Sequence, residues 1–132
     1  MRGRIGAVCL LVLAGLGCTG EQVTFDALRG ADRIEVLTSH AEVVSTIEDP
    51  ATIAAVQAMI SRHDLGWSAP WLGTPVPPLQ VNFHRGRRLL GGFGLGEGFL
   101  TSDPGPTFMM RSIPATETQE IARLLGVALE AR

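Results

Sequence analysis

Lysine and tyrosine are missing from the 132 residues, and cysteine occurs only twice. Without lysine there is no amine to hold the phosphates of a P-loop, to act as base or relay in an S-x-x-K acylase, or to form a Schiff base, so those three chemistries are excluded. Without tyrosine, phenolic acid–base catalysis is excluded too. All eleven basic residues are arginines, and against thirteen acidic residues they leave a formal charge of −2. A chain with that balance is not drawn to nucleic acid by its phosphates. Neither a G-x-S-x-G elbow nor an H-E-x-x-H helix occurs, so no serine-hydrolase or zinc-protease motif is present. No internal repeat or low-complexity tract appears, which argues against a solenoid or a disordered tail.

The N-terminal stretch MRGRIGAVCLLVLAGLGC does carry a pattern. Arg2 and Arg4 precede a 12-residue apolar run, Ile5 to Leu16, interrupted only by Gly6 and Gly15. That is shorter than the roughly 20 apolar residues of a spanning helix, and its charge-then-apolar order is that of a signal peptide. Ala14, Gly15, Leu16, Gly17 and Cys18 resemble the bacterial lipobox, the recognition site of the lipoprotein signal peptidase. The resemblance covers the first 18 residues and departs from the usual form at Gly15, where the family favours Leu. The small residues Gly15 and Gly17 also suit the ordinary signal peptidase, which would release a soluble protein.

The lipobox resemblance implies that Cys18 becomes the mature N-terminus and carries a thioether-linked diacylglycerol, often with an amide-linked acyl chain. Two or more chains hold a protein stably at a membrane, whereas one does so only marginally. Cys9 lies in the segment that would be removed, so Cys18 would be the one cysteine left in an oxidising compartment, with no internal disulfide available. Thr19 rather than Asp follows it, which in Gram-negative members of the class goes with outer-membrane sorting. The expected organisation is a signal peptide over residues 1–17, a lipid-anchored tether over 18–31 and a single domain over 32–132 with a formal charge from Cys18 onward of −4.

Hydrophobic periodicity gives the domain its architecture. Thr24 is placed to cap a short turn carrying Phe25 and Leu28 and ending at Gly30. Alternation predicts strands over Arg33–Thr38 and Glu42–Ile47. Asp49 and Pro50 mark the start of a helix reaching His63, with Ile53, Val56, Met59 and Ile60 on its apolar face. Leu65 to Pro78 reads as a long loop containing both tryptophans. Leu79–His84 and Arg87–Phe93 form a hairpin about Arg85 and Gly86, followed by short strands at Phe99–Ser102 and Phe108–Ile113. Thr116 and Gln119 suit a capping box for a last helix with Ile121, Leu124, Leu125 and Ala128 on one stripe. The fold class predicted is α+β, an antiparallel meander sheet with two amphipathic helices packed on one face.

The candidate sites are surface features. His84, Arg85, Arg87 and Arg88 form a basic hairpin tip suited to an anionic surface or an acidic envelope protein, or else a solvated turn that keeps a sheet edge from aggregating. Trp67 and Trp71 are either loop anchors for a partner or glycan, or a lid folded onto the core. The glycine run from Gly91 to Gly98 is followed by a strand rather than a helix, so it reads as a bend, a bulge or a place of close approach and not as a nucleotide loop. His40, His63 and His84 have no metal-ligand spacing; His63 suits the negative end of a helix dipole. A hydrolase would need His63 or His84 beside a carboxylate in a cleft. No catalytic, metal or cofactor residues are assigned. The pattern as a whole resembles small bacterial envelope lipoproteins, with a non-catalytic binding or accessory domain as the leading expectation and a small-ligand or glycan-binding domain as the alternative.

Replacing the acceptor sulfur checks the anchor: Cys18→Ser is expected to abolish metabolic fatty-acid labelling and to leave either unprocessed preprotein or a soluble product.

Overall fold

A computed structural model describes residues 22–69, 76–102 and 109–129. Cys18, Trp71 and Phe108 lie outside the described residues. The elements follow as β1 Arg33–Thr38, β2 Val43–Ile47, α1 Pro50–Ser61, β3 Leu79–Arg85, β4 Arg88–Gly96, β5 Phe99–Ser102, β6 Met110–Ser112 and α2 Ala115–Leu125, with a 3-10 turn at Asp26–Leu28 before them. The protein is α+β: one six-stranded sheet in the order β2-β1-β3-β4-β5-β6, every adjacent pair antiparallel. From β3 onward the sheet is a plain meander. Ahead of it, α1 carries the chain from β2 across to β3, so that β1 ends up between the two strands that flank it.

Period-two alternation decides the inner face. Ile34 and Val36 of β1, Leu79, Val81 and Phe83 of β3, Phe93 and Leu95 of β4 and Leu100 of β5 are buried together with Ile53, Val56 and Ile60 of α1 and Ile121, Ala122 and Leu125 of α2. Each large side chain of this set contributes roughly 1.5–3 kcal/mol by leaving water. The two helices reach amphipathicity differently. In α2 charged residues occupy the outer face, whereas α1 has no charged residue between Pro50 and Ser61 and turns alanines and Ser61 outward.

The start of α1 is as its sequence reads: the Asp49 carboxylate accepts from Thr52 N at 3.0 Å and from Thr52 Oγ1 at 2.7 Å, with Pro50 in the first turn. These bonds favour the ionised carboxylate and hold its pKa below the ordinary value. The start of α2 corrects the expected capping box. The helix opens one residue before Thr116, after Pro114, whose carbonyl accepts from Glu117 N and Thr118 N without any side-chain cap. Thr118 is free to turn inward, where its hydroxyl donates to Ala115 O and accepts from Gly98 N. Ala128 also leaves the expected stripe, because α2 ends at Gly126, whose φ of 72° and the bonds Gly126 N to Arg123 O and Val127 N to Ala122 O form a Schellman stop.

The boundary expected between tether and domain at residue 31 is also corrected. Phe25 and Leu28 are buried in the core, Val23 N donates to Asp64 O, and Gln57 Nε2 donates to Leu28 O. Residues from Val23 onward therefore belong to the packed unit, and Thr24 does not cap the turn. Trp67 is fully buried as well, with its ring 5.8 Å from that of Phe25.

The glycine run resolves into close approaches along β4. The Phe99 ring lies where a side chain at Gly96 would be, and Thr101 with Pro77 fills the corresponding space at Gly94. The segment before β3 thereby presses onto the second face of the sheet, leaving Thr101 only 2% exposed. The bulge sits elsewhere, opposite Phe83 and His84, where Leu90 is the extra residue and Gly91 takes a φ of 141°. Gly94→Ala is expected to overpack this contact and cost about 1–3 kcal/mol, read as a lower urea midpoint at unchanged slope.

Candidate functional site

The β3–β4 hairpin closes through Gly86 and Arg87, and a φ of +59° at Gly86 meets the type II′ requirement for a positive φ at the first central position. Its base is clasped by the segment entering β1. Both Asp32 carboxylate oxygens accept from Gly86 N, at 3.2 and 3.1 Å, Asp32 N donates to His84 O, and Arg33 Nη1 donates to Gly86 O. The turn is thus fixed from below, and its side chains project from a rigid support.

Arg85 and Arg88 stand directly opposite each other across the ladder, and Arg87 occupies the turn. All three are exposed, and no carboxylate pairs with any of them among the described residues. Leu89, the next residue, is 52% exposed. Nearby acids are engaged: Asp26 with Arg29 at 3.5 Å, Asp32 with the turn amide, and Glu35 with both Arg33 at 3.8 Å and His84 at 3.0 Å.

His84 does not belong to the exposed tip. Its side chain is only 15% accessible and faces Glu35 from the neighbouring strand. The Nε2–Oε1 contact is short, but Nε2 is buried without a hydrogen-bond partner. Trp67 is likewise withdrawn from any binding surface, since its indole Nε1 donates to His63 O at 2.6 Å and its ring is enclosed. A buried tryptophan with a satisfied N–H supplies packing rather than recognition. Trp71 lies outside the described residues, so of the expected site residues the structure brings together Arg85, Arg87 and Arg88.

A second histidine–carboxylate pairing joins the two helices. His63, just past α1, places Nε2 2.8 Å from Glu117 Oε2 in the first turn of α2. Burial lowers the His63 pKa; Glu117 opposes that shift, while the Arg111 and Arg62 guanidiniums reinforce it. Both histidines therefore have a carboxylate within reach, but neither lines the cavities of about 540, 260 and 300 Å³ formed by the described residues. The cavity of about 540 Å³ lies around Pro77, Pro78, Leu79, Phe99 and Leu129, with Glu97 at its edge, and includes no histidine and no tryptophan. Among the described residues no three histidine, cysteine or carboxylate side chains gather to hold a metal ion, and no helix is long and apolar enough to cross a membrane.

Comparison of the chain with family models, with curated proteins and with solved structures finds no match.

The His63 environment makes stability depend on pH. The folded state binds the imidazole proton less tightly than the unfolded chain, so the unfolded state gains protons first as pH falls below about 6.5, and stability declines from there until the folded pKa is passed. Urea midpoints measured from pH 7.5 down to 5 are expected to fall in the parent protein and to fall less in His63→Gln.

Proposed function

We propose that the chain is a lipid-anchored protein of the bacterial cell envelope whose folded domain acts by recognition rather than catalysis, as a binding or accessory domain for another envelope component. The observation that carries this reading is the hairpin tip. Three exposed arginines stand there without a carboxylate partner among the described residues, on a turn clasped by Asp32 and Arg33. Directly opposed like charges destabilise a ladder. An arginine pair left uncompensated while the neighbouring acids are spent on the hairpin base is better suited to an external anionic partner than to folding. Arginine also holds phosphate and carboxylate through paired donors.

The anchor supports the location: lipidation at Cys18 would retain the domain at a membrane after export, and Thr19 suits the outer membrane of a Gram-negative cell. The catalytic alternative asks for a histidine–carboxylate pair facing a cleft, and both pairs here lie away from the 540 Å³ cavity. The small-ligand alternative would use that cavity, with Phe99 and Pro77 as apolar walls and Glu97 and Ser39 as polar groups.

A photo-crosslinking residue placed at Arg87 in living cells, with one at exposed Arg62 as control, tests the proposal. An adduct with an envelope component, protein or lipid, from Arg87 alone, weakened when Arg85 and Arg88 are replaced by Gln, is the expected result. Equal or absent labelling at both positions would count against recognition by the tip.

A further inference from the structure

We infer that the partner of the arginine tip is an anionic lipid bilayer, and that the domain rests tip-down on the membrane surface. This rests on the anchored reading above, and the two can fail separately.

Charge alone does not single out a bilayer; the arrangement around it does. Arg85, Arg87 and Arg88 surround a two-residue turn, and Leu89 beside them exposes half of its surface. Basic groups next to an exposed aliphatic side chain match the headgroup–acyl boundary, where the guanidiniums meet phosphates and the leucine enters the apolar layer. A protein partner would need roughly 800 Å² on each side for a stable standard interface, and a narrow turn offers far less. A bilayer asks for no complementary shape.

The chain path points the same way. Gly30 lies against the tip, since a Cβ built there would be 3.3 Å from Arg85 Nη1. It is twelve residues from Cys18, a span of at most about 40 Å even when fully extended, and the 3-10 turn at Asp26–Leu28 shortens it. Since the packed unit begins at Val23, five residues after Cys18 and at most about 18 Å from it, an anchored Cys18 keeps the entry segment that leads to the tip close to the bilayer. Five of the nine arginines after the signal, Arg29, Arg33, Arg85, Arg87 and Arg88, lie at this end with Asp26, Asp32 and Glu35, so it keeps a net positive charge in a chain that is acidic from Cys18 onward. An anionic surface attracts this end and repels the remainder, which fixes the orientation.

The protein purified from membranes is reconstituted into vesicles of phosphatidylcholine, with or without phosphatidylglycerol, and treated with an arginine-directed dicarbonyl, each site being followed by mass spectrometry. Modification of Arg85, Arg87 and Arg88 is expected to slow by at least about tenfold in the anionic vesicles, to recover in high salt, and to be unchanged at Arg62. Arg88→Glu separates docking from folding: it sets opposite charges across the ladder from Arg85, so it should melt at or above the parent temperature while losing protection at Arg87. Equal rates in both vesicle types, or protection that persists in Arg88→Glu, would overturn the proposal. Flotation reads the anchor independently. Flotation with both compositions but no protection defeats tip docking alone; flotation only with anionic vesicles defeats the anchor and keeps the docking; flotation with neither defeats both.

Discussion

Four aromatic rings in a row hold the domain together. Phe83 of β3 lies 6.1 Å from Phe93 of β4, Phe93 lies 6.5 Å from Phe25 of the N-terminal segment, and Phe25 lies 5.8 Å from Trp67 beyond α1. The middle of the sheet is thereby joined to two stretches that have little regular structure of their own. Trp67 can be enclosed completely because the His63 carbonyl satisfies its N–H. Once that ring is fixed, the adjoining loop is fixed too: Ser68 exchanges two backbone bonds with Met110, and Arg111 Nε donates to Leu65 O, which closes the β6 edge of the sheet. The proximity of His63 to Glu117 is a consequence of the same packing, since the residue whose carbonyl receives the indole is brought to the start of α2.

Polar groups divide into those that build and those that are left over. Asp32 holds the hairpin turn, Glu35 stands between Arg33 and His84, Asp49 caps α1, and Ser45 Oγ donates to Leu125 O to tie the outermost strand to the end of α2. Asp32, Asp49 and Ser45 each share a hydrogen bond with a backbone group that would otherwise lose one on folding, while Glu35 places its charge beside Arg33 and His84. Arg85, Arg87 and Arg88 have no such task. Among the described residues the three tip arginines face no carboxylate, while the acids nearby are engaged elsewhere.

Much of the fold was readable because it depends on local chemistry. Alternation in Leu79–His84, Asp49 with Pro50, and the glycine at the hairpin turn each fix an element within a few residues, and the elements appear where those signals stand. What escaped depends on distant residues. Phe25 and Leu28 lie in a segment too short to show a period, so nothing local distinguishes a packed turn from a tether. Thr116 had the composition of a cap, but the helix begins at Ala115 after Pro114 and has no side-chain cap. The role of Gly94 is set by Pro77 and Thr101, and the environments of His63 and His84 by Glu117 and Glu35, all supplied by other elements. The arginines of the tip were visible in sequence; that His84 turns away from them and that the nearby acids are occupied was not.

The entry segment also sets how the domain would respond to tension. A pull applied ahead of Val23 first loads its backbone bond to Asp64, then the buried Phe25 and Leu28, then the Gln57 amide on the Leu28 carbonyl. Only after these yield does force reach β1, which is laddered on both sides by β2 and β3. The entry segment is thus the first part of the packed unit to bear load, and drawing Phe25 out would break the aromatic row that ties Phe93 of the sheet to Trp67.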